Sequence, residues 1–173
     1  ASRHDLMARF EALGIKTETR EHAPVFTVEE ARALRGAIAG GHCKNLFLKD
    51  DKSALYLVVS LEDAQIDLKT LPARIGSRRL SFGKPDLLKE VLGVEAGSVT
   101  PFALINAPPG RIAVILDQAM MRVPVLNYHP LKNDATTTIR SEDLLAFIRS
   151  CGHEPRILPL GEPPLQTAGR FAI

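Results

Sequence analysis

Along the chain the apolar positions come in short blocks whose spacing switches repeatedly between the helical and the extended period. Residues 5–13 set Leu6, Met7, Phe10 and Leu13 at helical spacing, with Gly14 as a stop. Residues 16–21 alternate threonines with charges and predict a weak strand that ends at His22-Ala23-Pro24. Thr27 followed by Glu30 forms a capping box, so a helix is expected over 28–34, ended by Gly36. Leu46-Phe47-Leu48 reads as a buried strand whose mouth is formed by Lys44 and Asn45, with Gly40-Gly41 before it and the turn Asp50-Asp51 after it. The apolar, partly β-branched run 54–61 pairs with it across that turn to make a hairpin.

Helices are expected over 68–75 and 86–92, the second opened by Lys84-Pro85 and stopped by Gly93. Gly97-Ser98-Val99-Thr100-Pro101 is a tight loop with exposed backbone N–H groups that delivers the chain into an apolar run, 102–105, read as a strand. Strands over 111–116 and 123–128 are joined across 117–122. Proline disfavours the helical region for the residue before it, so His129-Pro130 holds the imidazole in an extended or turn geometry from which it can project into a pocket or simply cap a loop. A strand over 136–139, a helix over 141–149 ended by Gly152, and a last strand over 156–160 follow; 161–173 reads as a tail. This irregular alternation with two hairpins predicts a mixed α/β (α+β) fold, a largely antiparallel mixed sheet flanked by helices.

At 173 residues and 45% hydrophobic, the chain can bury one substantial core, so a single domain over 1–173 is expected. A net charge of only +2 means that any nucleic-acid contact must come from a local patch. The densest basic cluster is Arg74, Arg78 and Arg79, with Lys49 as an addition; it is either a solvated face or a phosphate contact. Cys43 and Cys151 lack a CxxC spacing, which argues against a zinc site or a disulfide and for a reduced, cytoplasmic setting. No apolar run approaches the ~20 residues of a membrane span. The 36–41 segment has the glycines of a phosphate-binding loop without its Lys-Ser/Thr, so it is read instead as a hinge for the helix before it. Lys44 has two readings from spacing alone: a stem packed on apolar neighbours with its ammonium in water, or a charge held at a site. No metal or cofactor is expected, because no ligand set stands out and no serine or cysteine has an evident histidine partner.

Several segments in order resemble the YbaK-like, prolyl-tRNA-synthetase-associated editing domains: 24–31 (Pro-Val-Phe-Thr-Val-Glu-Glu-Ala), Lys44-Asn45-Leu46-Phe47-Leu48, Leu80-Ser81-Phe82, Leu92-Gly93-Val94, Gly97 with Pro101-Phe102, and His129-Pro130 with Asn133 and Thr136. The match spans 22–149 and is most similar to the branch that deacylates alanyl-tRNA(Pro). Ala107 departs from the aspartate that often follows Asn106 in the family and puts a loop contact in question. The resemblance implies hydrolysis of the ester that joins a misattached amino acid to the terminal adenosine, water attacking directly with help from the substrate's 2′-hydroxyl. It implies Lys44 on the ribose or carbonyl, N–H groups of Gly97, Ser98 and Val99 at the oxyanion, and Asn45, His129, Thr100, Pro101 and Phe102 around the amino acid. Lys49, Arg74, Arg78 and Arg79 would meet the tRNA(Pro) acceptor end, with prolyl-tRNA synthetase or an elongation factor as candidate partners and no DNA or membrane. Two other readings stand beside it: a cysteinyl-tRNA(Pro) deacylase of the same superfamily, and a non-catalytic nucleic-acid-binding module, the latter weakened by the small number of aromatics for base stacking.

Overall fold

A computed structural model describes residues 1–24 and 28–161. The cap at Thr27 and the tail from 162 onward lie outside the described residues. The chain opens with helix α1, Arg3–Ala12, because Ser2 and Asp5 form a reciprocal capping box and Leu6 and Phe10 give it a buried stripe. Strand β1, Glu18–Glu21, leads to helix α2, Val28–Ala37, and the long strand β2, Gly41–Asp50. After β3, Leu55–Leu61, come helix α3, Leu71–Ile75, strand β4, Leu80–Phe82, and helix α4, Pro85–Leu92. Two 3-10 segments, Ala96–Ser98 and Pro101–Asn106, precede β5, Ala113–Asp117, and the short helix α5, Gln118–Met121. Strands β6, Val125–Tyr128, and β7, Ala135–Arg140, helix α6, Ser141–Ser150, and strand β8, Arg156–Leu158, complete it.

The strands form one mixed sheet in the order β1-β7-β6-β2-β3-β5-β8, with β4 added on β2. β1/β7, β6/β7, β2/β3 and β2/β4 are antiparallel; β2/β6, β3/β5 and β5/β8 are parallel. The mixed α/β class is therefore as the pattern predicted. A large core lies on one side, where Phe47, Leu57, Val59 and Leu116 meet helices α1, α4 and α6, and a smaller one on the other, where Leu48, Val58 and Ile115 meet α3. Phe102 is the hub of the large core: its ring centroid lies 5.2 Å from Phe10, 5.5 Å from Phe147 and 5.6 Å from Tyr128, all in edge-on arrangements. Each such pair contributes about 0.5–1.5 kcal/mol beyond area burial.

Several expectations are corrected. Lys44 and Asn45 are not at the mouth of β2 but inside it, because the strand starts at Gly41 and pairs with β3 from Cys43 onward. Residues 102–105 are 3-10 helix; a short apolar run shows no period that separates the two, and here the aromatic hub sets the geometry. The 117–122 link holds a helix, and β5 joins β3 and β8 in parallel instead of pairing with β6, so the second hairpin is β6/β7. Gly36 does not stop α2, which runs on to Ala37, and the helix expected over 68–75 is confined to Leu71–Ile75.

Candidate active site

One edge of β2 changes partner along its length. β6 covers it at Gly41 and His42, β4 covers it at Leu48–Asp50, and Gly83 N–H closes the gap at the Phe47 carbonyl. Among the described residues, no strand pairs with that edge between Cys43 and Leu46, and the polar pair Lys44-Asn45 falls in this gap. Strand alternation sends the two side chains to opposite faces. Cys43 and Phe47 belong to the large core, so Asn45 shares their face; Leu46 and Leu48 belong to the small core, so Lys44 shares theirs. The half-buried Lys44 donates its ammonium to the Ala64 carbonyl. Asn45 Oδ1 is buried with no hydrogen-bond partner among the described residues, a deficit that a ligand donor would relieve. The two residues thus flank an open strand edge, and a group lying across that edge is reachable from both sides.

His129 follows directly on β6. Its Nδ1 lies 2.8 Å from the Ala135 carbonyl, which can only accept, so Nδ1 carries the proton and Nε2 presents a lone pair. Burial lowers the pKa of this imidazole below its ordinary 6.5, the Ala135 bond acts against that shift, and the nearby His22 adds to it. His22 stands 6.2 Å away, ring to ring, with Nδ1 on the Ala23 carbonyl at 2.9 Å and Nε2 accepting from Thr136 Oγ1 at 2.8 Å. In the sequence His22 stands only as a strand end, its one signal being its place at the start of the resemblance.

The glycine loop meets the His-Pro-xx-Asn turn, since a side chain on Gly97 would come within 3.5 Å of Asn133 Nδ2. Its donors are fewer than the spacing implied. Ser98 N–H is given to the Glu95 carbonyl at 2.9 Å, Phe102 N–H to Thr100 Oγ1 at 3.2 Å, and Pro101 has none. The loop N–H groups left as candidates for the oxyanion are those of Gly97, Val99 and Thr100, with Ser98 holding the turn. Phe102 is 0% exposed and supports the loop from behind, and Pro101 is buried with it.

Cys43 is unsuited to nucleophilic attack at neutral pH, because burial pushes its thiol up to about 11 despite hydrogen bonds from Tyr128 and Asn127. Burial also raises Cys151. Among the described residues, no three His, Cys, Asp or Glu side chains are grouped to hold a metal.

The basic residues gather at the other end of β2. Lys49 is half-buried opposite Leu55 and Ser81, Arg78 is paired with Asp51 at 2.5 Å, Arg74 reaches the Pro159 carbonyl at 3.2 Å, and Arg79 is exposed. At ~3.3 Å per strand residue this end lies roughly 20 Å from Lys44.

The family model described as "Aminoacyl-tRNA editing domain" matches residues 22–147. The chain belongs to the aminoacyl-tRNA editing family. It is 40% identical over 158 residues to "Prolyl-tRNA synthetase associated domain-containing protein 1" of Bos taurus, covering 88% of this chain and 92% of that protein. It is 35% identical over 156 residues to "Prolyl-tRNA editing protein ProX" of Acetoanaerobium sticklandii, covering 90% and 95%. A solved structure described as a candidate trans-editing enzyme for prolyl-tRNA synthetase shares the fold, with a TM-score of 0.72 and 21% identity over 93% of this chain and 97% of its own. Editing is hydrolysis of an aminoacyl ester, so the editing-family chain is an enzyme of the deacylase class, as the resemblance implied. No described helix is long and apolar enough to cross a membrane.

Proposed function

We propose that this editing domain is a cytoplasmic trans-editing hydrolase that removes alanine from mischarged alanyl-tRNA(Pro). The observation that carries the reading is the gap in β2, where an ammonium bonded to a backbone carbonyl, and an unpartnered buried amide oxygen, stand on the two sides of an uncovered strand edge. With the ester laid across this edge, Lys44 exchanges the Ala64 carbonyl for the terminal ribose or the ester carbonyl. Asn45 Oδ1 and the bare Nε2 of His129 accept from the α-ammonium group, and the Gly97, Val99 and Thr100 N–H groups stabilise the developing oxyanion. Water attacks directly, assisted by the substrate's own 2′-hydroxyl, which accords with the high pKa of Cys43. The basic end of β2, with Arg78 and Arg79, lies a tRNA-helix width away and suits the acceptor-stem backbone.

Alanine is smaller than proline, so a synthetase built for proline cannot exclude it by size, and a second site that admits only smaller residues corrects the error. Labelled alanyl-, cysteinyl- and prolyl-tRNA(Pro) are to be incubated with the protein and ester loss followed. Alanine should be released and proline spared. Equal loss of both would overturn the size-sieve reading, faster loss of cysteine would assign the cysteinyl branch, and tRNA binding without ester loss would leave a binding module only.

A further inference from the structure

The Lys44 face of the sheet carries a polar row that the reading above does not use. Lys44 pairs with Ser60 on β3, and Val59 pairs with Leu116 on β5, so Asp117 follows level with Ser60. All three share the face of Leu48, Val58 and Ile115, and Asp117 lies roughly 10 Å from Lys44 across two strand spacings. Asp117 is 1% exposed. Its Oδ1 accepts from Leu160 N–H at 3.0 Å, whereas its Oδ2 has no hydrogen-bond partner among the described residues. Asp117 lines a cleft of about 300 Å³, and Oδ2 lies 3.6 Å from where a Cβ on Gly161, another residue of its wall, would stand. The cleft has apolar walls from Leu61, Ala64 and Pro159 and carboxamides from Gln65 and Gln118. Ala64, whose carbonyl holds the Lys44 ammonium, joins the cleft to the ester site.

We propose that this cleft binds the 3′-terminal adenine of the tRNA. A buried carboxylate oxygen without a partner calls for a donor, and apolar walls call for a flat group; the exocyclic amine and ring of adenine supply both. A glutamine carboxamide is suited to the remaining edge of that base, as in base readout elsewhere. The distance from Asp117 to Lys44 is one that a nucleoside can bridge, so adenine at Asp117 leaves its ribose ester beside Lys44. The inference rests on the tRNA-editing reading of the same face.

The test is an NMR chemical-shift titration of the full chain with adenosine and with inosine, which replaces the amine by a carbonyl, run beside the alanyl-tRNA(Pro) assay. Adenosine should bind about ten-fold or more tightly than inosine, with shifts at Asp117 and Gln118. In Asp117→Asn, Oδ1 stays committed to Leu160 N–H and the other position becomes an N–H donor, so the preference should collapse or invert toward inosine. Equal binding of the two nucleosides by the unmodified chain, or no adenosine binding, overturns the proposal while active deacylation leaves the editing reading standing. Adenosine preference without release of alanine does the reverse. Should Asp117→Asn fail to fold, the adenosine-to-inosine ratio of the unmodified chain decides alone.

Discussion

The two halves of β2 have similar lengths and one shared partner strand, yet opposite surroundings. From Phe47 to Asp50 the strand is bonded on both edges, Phe47 and Leu48 are at most 4% exposed, and Asp50 spends its carboxylate on the turn through Lys52 and Ala54 N–H groups. From Cys43 to Leu46 one edge has no strand paired with it among the described residues, the residues are half-buried, and a lysine and an asparagine occupy positions that a sealed strand would give to aliphatics. Where both edges are satisfied a strand is scaffold; where one edge is left open, its polar groups are available to a substrate. The contrast predicts separable effects of substitution in the two halves.

The largest effect on stability belongs to the sealed half. Phe47→Ala should destabilise the fold by about 3–5 kcal/mol, read from urea unfolding, while turnover per folded molecule changes little. In the open half the order reverses. Asn45→Ala should lower kcat/KM about ten- to a hundred-fold, since a contact to the charged ammonium is lost, with stability unchanged or raised because a buried acceptor without a partner is removed. A clear loss of stability in Asn45→Ala, with activity intact, would merge the two halves.

The pH dependence is smaller. The folded pKa of His129 lies below its ordinary 6.5, so the folded chain binds fewer protons than the unfolded chain as the medium acidifies. The stability it contributes is present above pH 6.5 and is lost as the pH falls through the lower folded value. Deacylation should fall over the same window, because protonation removes the Nε2 lone pair. His129→Asn, whose amide can still donate to Ala135, should flatten the stability profile; an unchanged profile would remove His129 from the account. The smallest effect lies at the far end of β2. Arg79→Glu should raise KM several-fold, and more than Arg78→Glu does, because Asp51 already offsets the Arg78 charge. Equal, negligible changes would place the tRNA on another face.

Much of the scaffold was legible. The β2/β3 hairpin, helix α4 between Pro85 and Gly93, strand β7 and helix α6 all follow from periodicity and stop residues, since their packing agrees with their local signals. The candidate site residues came from the resemblance, and their geometry was not legible. The stretch 41–45 has glycines and polar side chains and no strand period; it is extended because β3 and β6 pair with it, which is information held elsewhere in the chain. For the same reason the opposite facing of Lys44 and Asn45 was hidden, as facing is defined only once the strand is known to run through both. Phe102 read as pocket lining because it adjoins the glycine loop, but three other aromatic rings enclose it. Asp117 did leave a signal, a carboxylate closing the apolar run Val114-Ile115-Leu116, though a turn residue looks the same until its burial is seen.

The most direct test of the account is single-turnover deacylation of alanyl-tRNA(Pro) by Lys44→Ala, measured beside its urea unfolding midpoint. Lys44 is held by one backbone carbonyl at an uncovered strand edge, so its removal should leave the midpoint near that of the unmodified chain. The rate should fall on the order of 10²–10³-fold, as expected for loss of a pre-positioned charge, and Lys44→Arg should not restore it. A folded Lys44→Ala protein that releases alanine at the unmodified rate would contradict the claim that the open half of β2 is the catalytic edge.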